Sequence, residues 1–149
     1  MNGGMELYLH MPFCVRKCAY CDFLSFPTDQ ETQNLYTRRL REDIDAMGKK
    51  YGDIPVDTIF IGGGTPSVPD SALIVGIMEH VRKAFHVAEG AEISMEANPG
   101  TVTREKLTDY RRAGINRLSF GLQSANDREL KLLGRIHTWA EFLESFHLA

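Results

Sequence analysis

The sequence has no excess of basic residues, few cysteines, and no apolar run that approaches the roughly 18 residues needed to span a bilayer. Lys and Arg number 17 against 20 Asp and Glu in 149 residues, which gives a net charge of −3. This balance excludes the basic surface typical of nucleic-acid-binding proteins and predicts no nucleic-acid partner. The first eight residues, MNGGMELY, lack the basic and apolar regions of a signal peptide. We therefore expect a cytoplasmic protein with no transmembrane segment.

The only cysteines are Cys14, Cys18 and Cys21, which fall in one C-x3-C-x2-C run. Clustered cysteines in a chain without a secretion signal more often bind a metal centre than form disulfides. Iron–sulfur clusters usually take four thiolates and structural zinc takes four ligands, so three cysteines leave one metal position open to an outside ligand. The alternatives are a structural zinc completed by His10 or Asp22, or three unrelated buried thiols. Because no second cysteine pair follows, the pattern favours an iron–sulfur cluster.

Apolar periodicity predicts four strands that alternate with helices. Apolar and β-branched runs typical of strands occur at 6–11, 56–61, 91–97 and 116–123, and amphipathic patterns typical of helices occupy 30–50, a segment from 70, 104–113 and a segment from 126. No hairpin signal joins consecutive strands, so the order predicts an α/β fold with a parallel sheet. A last helix begins at Thr138 without a closing signal before Ala149, and we therefore expect a longer protein.

Polar or glycine-rich segments lie at the end of each predicted strand. The cysteine loop follows the first strand and the triple glycine at 62–64 follows the second, whereas Glu96 ends the third and Gln123 the fourth. The carboxyl ends of parallel strands gather at one edge of a sheet, where α/β proteins build their sites. Glu96 can accept hydrogen bonds from an amino or ribose group, Gln123 can donate and accept, and Arg135 can bind a carboxylate.

The triple glycine has two interpretations. A backbone without side chains can approach a ligand closely, and it can equally form a tight turn between a strand and a helix. No lysine follows at the spacing of a P-loop, and no G-x-G-x-x-G dinucleotide motif occurs. A P-loop is therefore excluded. Turn chemistry alone leaves the choice between a ligand-binding loop and a tight turn open, and a neighbouring cluster with an open iron shifts the balance toward a loop that binds a small polar ligand.

Five motifs in this order resemble those of the radical S-adenosylmethionine (SAM) superfamily. They are CVRKCAYC, IGGGTPS, MEANPG, FGLQS and GRIH. Within that superfamily the sequence is similar to the oxygen-independent coproporphyrinogen III oxidases and to their heme-chaperone branch. The resemblance implies an α/β fold, a partial TIM-like (β/α)6 barrel of which about four β/α units are present. It also implies that residues 1–149 are the N-terminal portion of a radical SAM core domain.

The resemblance further implies two cofactors, a [4Fe–4S] cluster on Cys14, Cys18 and Cys21 and SAM bound to the fourth iron. The cofactors would supply the redox chemistry, and the protein would supply position and exclusion of water. The other residues that the resemblance assigns to SAM are Tyr8 near its methionyl part, Tyr20 against its adenine, Gly63, Gly64 and Thr65 at its amino group through backbone atoms, and Glu96, Gln123 and Arg135 as further contacts.

One position departs from the oxidase pattern. The oxidases resemble C-x3-C-x2-C-x-C, with a further cysteine at the position where this sequence has Phe23. Phenylalanine can neither bind iron nor donate a hydrogen atom, so oxidative decarboxylation of coproporphyrinogen III is the secondary prediction. The CDF sequence resembles the heme-chaperone branch. That resemblance implies heme or a porphyrinogen as the bound molecule and heme-receiving respiratory proteins as partners.

Overall fold

The computed structural model describes residues 4–149. Residues 1–3, on which part of the signal-peptide prediction rests, lie outside the described residues. The predicted alternation of strands and helices is confirmed. The elements in chain order are β1 (Met5–Met11), α1 (Gln30–Tyr51), β2 (Val56–Gly63), α2 (Ser71–Ala84), β3 (Val87–Ala97), α3 (Arg104–Arg112), β4 (Arg117–Phe120), α4 (Asp127–Leu132) and α5 (Trp139–Leu148).

The four strands form one parallel sheet in the order β1-β2-β3-β4. Each strand therefore pairs with its neighbour in sequence, and the intervening helix returns the chain to the same end of the sheet. The register pairs Tyr8 with Phe60 and Phe60 with Ser94, and further along it pairs Glu96 with Ser119. All four carboxyl ends consequently lie at one edge, as the sequence predicted.

The hydrophobic core lies between the sheet and the first three helices. Alternate residues of the strands point to opposite faces, and one set of them is buried against apolar side chains of α1, α2 and α3. These buried residues include Leu9, Met11, Ile59, Ile61, Ile93 and Met95 from the strands and Ile44, Ile74, Ile77, Met78, Val81 and Tyr110 from the helices. The opposite face of the sheet carries Tyr8 and Phe60, both exposed.

Strand β4 is shorter than the sequence predicted. The apolar run at 116–123 indicated a strand through Gln123, but β4 ends at Phe120. The Leu122 N–H turns back to the Phe120 carbonyl at 3.0 Å, and Gln123 adopts a left-handed backbone with φ of 71°. Strand β4 therefore ends three residues before the apolar run does, and this turn brings Gln123 to the edge of the sheet.

The helices begin at the predicted capping residues. The side chains of Thr103 and Asn126 accept backbone N–H groups of α3 and α4, and Thr138 forms a complete capping box with Glu141 at the start of α5. Gly114 follows α3 with a φ of 94°, as expected of a glycine that ends a helix. None of the helices within residues 4–149 has both the length and the apolar character needed to cross a membrane.

Candidate functional site

A cavity of about 270 Å³ opens at the carboxyl edge of the sheet. It brings together segments that follow all four strands, and every predicted site residue except Tyr8 lines it. The lining includes Cys14, Cys18, Cys21, Tyr20, Gly63, Gly64, Thr65, Glu96, Gln123 and Arg135. The sequence prediction that these residues converge is therefore correct, although they are spread over more than a hundred positions of the chain.

The cysteine loop is held by backbone contacts at both of its ends and in its middle. The Cys14 N–H donates to the Phe26 carbonyl at 3.2 Å, which joins the two ends of the loop. In the middle, the Ala19 N–H donates to the Leu133 carbonyl at 3.2 Å, and the guanidinium of the Arg16 side chain donates to the Gly134 carbonyl at 2.7 Å. The three thiols are free and half-buried. The loop thus presents them to the cavity through contacts that need no ligand.

The glycine loop packs directly against the cysteine loop. The Gly64 N–H donates to the Met11 carbonyl at 2.8 Å, and the Thr65 N–H donates to the Phe13 carbonyl at 2.6 Å. A Cβ atom at Gly64 would lie only 2.5 Å from the Phe13 carbonyl oxygen. Glycine is therefore required here for the close approach of two backbone segments, which supports the interpretation as a tight turn.

Gly63 occupies a second crowded position. Its φ is 116°, and a Cβ atom would lie 2.5 Å from the imidazole ring of His10. Its N–H donates to the Glu96 carboxylate at 3.0 Å. The N–H groups of Gly63, Gly64 and Thr65 thus all have protein acceptors.

Tyr8 lies beside the cavity. Its hydroxyl is hydrogen-bonded to His10 Nδ1 at 2.9 Å, and its ring stacks on Phe60 on the open face of the sheet. Burial raises the pKa of the Tyr8 hydroxyl, and the nearby Glu96 carboxylate raises it further. Tyr8 therefore lies outside the cavity lining, in contact with His10 and Phe60.

Four hydrogen bonds connect two of the cysteines across the cavity. Cys14 Sγ lies 3.8 Å from Thr65 Oγ1, which accepts a hydrogen bond from Asn98 Nδ2 at 2.9 Å. Asn98 Oδ1 in turn accepts from Arg135 Nη2 at 2.8 Å, and Arg135 Nη1 donates to Cys18 Sγ at 3.5 Å. We call this series, from Cys14 through Thr65, Asn98 and Arg135 to Cys18, the polar belt.

Sequence reasoning missed Asn98. The Asn-Pro-Gly turn after β3 was recognisable as a strand end, and a polar residue at that position was the available signal. Its partners could not be identified, because Thr65 and Arg135 lie 33 and 37 positions away in sequence. Phe120 and Ile136, which give the cavity apolar lining, were missed as well.

Arg135 is the most constrained side chain of the site. Besides its bonds to Asn98 and Cys18, it donates to the Gly121 carbonyl at 2.7 Å. Its Nε–H is buried and has no partner among the described residues. Burial raises the pKa of Tyr20, and the charge of Arg135 opposes this rise.

The donor set fits the two cofactors that the motifs imply. Three thiols in one cavity suit an iron–sulfur cluster with one iron left open, and the unpartnered Nε–H of Arg135 suits an anionic group. Within residues 4–149, no three His, Cys, Asp or Glu side chains converge on a point where one metal ion could bind. Three thiols that do not converge on one point can still bind a cluster, because each thiolate of a cluster binds a separate iron.

The residues that could complete a zinc site are engaged or distant. The two ring nitrogens of His10 bond to Tyr8 and to the Leu24 carbonyl, the latter at 2.9 Å. Asp22 is exposed and lies outside the cavity lining. Neither of the two candidate fourth ligands of a zinc site, His10 and Asp22, is therefore placed to complete it.

Comparison with known families identifies the chain. The family model described as the radical SAM superfamily matches residues 8–149. The chain belongs to the radical SAM superfamily. This confirms the resemblance read from the five motifs, and membership implies SAM and a [4Fe–4S] cluster as cofactors.

Radical SAM relatives among curated proteins are named as heme chaperones. The chain is 45% identical to the heme chaperone HemW of Escherichia coli over 89% of its own length and 35% of that protein. It is 40% identical to the Haemophilus influenzae heme chaperone HemW, over 97% of its length and 39% of that protein. The chain therefore spans little more than a third of these relatives.

A solved radical SAM structure confirms the fold. The chain superposes on the E. coli coproporphyrinogen III oxidase HemN, described as a radical SAM enzyme, with a TM-score of 0.91 and 28% identity. The match covers 100% of this chain and 35% of HemN. The predicted α/β radical SAM fold is therefore correct.

Proposed function

We propose that the cavity binds a [4Fe–4S] cluster through Cys14, Cys18 and Cys21, with SAM at the open iron. When bound, this pair supplies one-electron reduction of the SAM sulfonium. Two observations support the proposal. The three thiols line one cavity together with Arg135, and the buried Nε–H group of Arg135 has no hydrogen-bond partner among the described residues. Arg135 would bind the SAM carboxylate, because a guanidinium pairs well with a carboxylate.

The other residues would position SAM. The carbonyl oxygens of the loop at Gly63, Gly64 and Thr65, which lines the cavity, would accept from its amino group, because an amino group donates hydrogen bonds. Glu96, which lies beside Gly63, and Gln123 also line the cavity and would bind polar groups of SAM. Tyr20, at the cavity mouth, would pack against the adenine, and Tyr8 would support the methionyl side by way of His10 and Glu96.

We propose that the protein is a heme chaperone, which binds heme and delivers it to heme proteins. Phe23 is the observation that carries this proposal. It lines the cavity with its side chain 67% exposed, at the position where the oxidase pattern has a further cysteine. An exposed aromatic ring there can contact a flat apolar macrocycle, but it cannot replace a thiol. The two HemW relatives at 45% and 40% identity support the same function.

The alternative is an oxygen-independent coproporphyrinogen III oxidase, which removes two carboxyl groups oxidatively to form protoporphyrinogen IX. It is favoured by the superposition on HemN with a TM-score of 0.91. The 28% identity of that match is lower than the identity to the heme chaperones. We therefore rank the oxidase second.

One experiment on the full-length protein separates these functions. Anaerobic, cluster-loaded protein is titrated with heme, and a second sample receives coproporphyrinogen III, SAM and a reductant. We expect stable uptake of heme and no protoporphyrinogen. Turnover of coproporphyrinogen by the wild-type protein would overturn the chaperone proposal. The F23C variant introduces the cysteine of the oxidase pattern, and L24C, with a cysteine at the neighbouring exposed position, is its matched control.

We also propose the setting in which this chain acts. Residues 1–149 would form the N-terminal portion of a radical SAM core, which agrees with a chain that spans 35% of both HemW and HemN from E. coli. The bound molecule would be heme or a porphyrinogen, and the recipients would be heme-dependent respiratory proteins. The cytoplasm would be the compartment, as the cysteine use and composition predict.

A further inference from the structure

The polar belt contains one residue with no role in the binding proposals above. Asn98 touches neither cysteine, yet both contacts to cysteine sulfur, from Thr65 and from Arg135, depend on side chains that it holds. We propose that Asn98 is a positioning residue that fixes Thr65 and Arg135 so that each donates a hydrogen bond to a cysteine sulfur of the cluster. This inference rests on the proposed cluster site and is independent of whether the protein carries heme.

The chemistry of the partners sets the direction of the hydrogen bonds in the belt once Cys14 and Cys18 are thiolates of the cluster, because a thiolate has no hydrogen to donate. A guanidinium has only donors, so the Asn98 oxygen must face Arg135 and the Asn98 nitrogen must face Thr65, as observed. The Thr65 oxygen accepts from that nitrogen, and its own hydrogen is then free for Cys14 Sγ at 3.8 Å. Both ends of the belt therefore donate toward sulfur.

The backbone of Asn98 is itself fixed. Its N–H donates to Ser67 Oγ at 3.2 Å, and its carbonyl accepts from the Thr101 hydroxyl at 2.7 Å. Ser67 belongs to the loop after β2 and Thr101 to the loop after β3. The backbone of Asn98 is thus held by both loops, which fixes the point from which its side-chain amide reaches Thr65 and Arg135. Thr65 is 3% exposed and has little room to move away.

Hydrogen bonds to the sulfurs are one of the factors that set the reduction potential of an iron–sulfur cluster. Donors at sulfur stabilise the reduced cluster more than the oxidised one, because the reduced cluster carries more negative charge. A belt that directs donors to two of the three thiolates therefore raises the potential. Disruption at Asn98 should lower it by releasing both donors at once.

The experiment measures the midpoint potential of the reconstituted cluster in the full-length protein, without SAM, by redox titration followed with electron paramagnetic resonance. N98L removes both hydrogen bonds of the amide while keeping a side chain of similar size. T65V removes the donor to Cys14 together with the acceptor of the Asn98 amide nitrogen, but it leaves the bond between Asn98 and Arg135 in place. We expect both variants to have a lower potential than the wild type, with N98L lower than T65V. T65S keeps the hydroxyl and should keep the wild-type potential.

The control is another asparagine with both amide atoms bonded. Asn116 accepts from the Ile93 N–H at 2.8 Å and donates to the Ala91 carbonyl at 2.9 Å, at the opposite end of the sheet from the cavity. N116L should destabilise the fold without any shift in potential. In the N98L/T65V double variant, the shift should be smaller than the sum of the single shifts, because Asn98 acts partly through Thr65.

An unchanged potential in N98L, or an equal shift in N116L, would overturn the inference. If N98L assembles no cluster, the pair T65V and T65S decides: a lower potential in T65V alone supports the belt, and an unchanged one contradicts it. The iron content of every variant is measured first. A wild-type protein that binds no iron would overturn the proposed cluster site, whereas an iron-loaded N98L with an unchanged potential would overturn only the role of Asn98.

Discussion

At the scale of single residues, Gly63 shows how the site constrains its own backbone. Its N–H donates to Glu96, its φ is 116°, and the space where a Cβ atom would lie is filled by the His10 ring. Two independent causes, backbone conformation and crowding, therefore require glycine. Both act before any ligand binds.

We expect G63A to lower the free energy of unfolding by about 3 kcal/mol, from the strained backbone and the clash together. G100A is the matched control, because Gly100 has a φ of 77° with nothing within 4 Å of its Cβ position. That variant should lose only about 1 kcal/mol from the backbone. Urea unfolding of both variants measures the difference. Equal losses would contradict the crowding by His10.

His137 links the stability of the site to pH. It is 4% exposed, its Nε2 bonds to the Leu122 carbonyl at 3.2 Å, and its Nδ1 is buried without a partner among the described residues. Burial lowers the pKa of His137 below the ordinary value of 6.5, and the charge of Arg135 lowers it further.

On acidification through pH 6.5, the unfolded chain therefore binds a proton that folded His137 does not. The free energy of unfolding should fall over this range, because stability rises with pH wherever the unfolded state binds more protons. The glutamine of H137Q cannot titrate. The free energy of unfolding of this variant should therefore fall less between pH 7.5 and 5.5 than that of the wild type, as measured by urea unfolding at each pH. A fall as large as that of the wild type would contradict this role for His137.

At the scale of elements, α3 fixes the loop that carries the glycines. The half-buried ammonium group of Lys106 donates to the carbonyls of Ser67 at 2.8 Å, Val68 at 3.3 Å and Pro69 at 2.9 Å. Ser67 also accepts the backbone N–H of Asn98. Lys106 therefore supports the loop after β2, and the hydrogen bond between Asn98 and Ser67 joins that loop to the loop after β3.

We expect K106M to lower the free energy of unfolding by about 2 kcal/mol, because three carbonyls lose a charged donor. It should also weaken SAM binding by the cluster-loaded protein, since the loop at Gly63 loses its support. The exposed Lys131 of α4 provides the control variant K131M, which should leave the free energy of unfolding and the affinity for SAM unchanged. Calorimetric binding of SAM and urea unfolding measure the two effects. Full SAM affinity in K106M would show that the loop does not need this support.

The elements and their caps were predictable from the sequence, because periodicity and capping are local. Thr103, Asn126 and Thr138 begin their helices as expected. The early end of β4 was not predictable, since it depends on a left-handed backbone at Gln123 that an apolar run does not reveal.

At the scale of the whole molecule, parallel strand order explains why the site could be located. The carboxyl ends gather at one edge, so the position of each motif after its strand was sufficient to bring the cysteines, Glu96 and Gln123 to one cavity. The contacts inside the cavity were beyond sequence reasoning. The Arg135 guanidinium reaches Cys18 across 117 positions, and Asn98 joins loops that are separate in the chain.

The proposed function depends on three thiolates of this cavity, which would hold a cluster with one iron open to SAM. The most direct measurement is iron and sulfide analysis of the anaerobically reconstituted full-length protein, with electron paramagnetic resonance of its reduced form before and after addition of SAM. We predict about four irons and four sulfides per chain, a spectrum that changes on addition of SAM, and no cluster in the C14A/C18A/C21A variant. One zinc per chain, or a cluster whose spectrum ignores SAM, would contradict the claim.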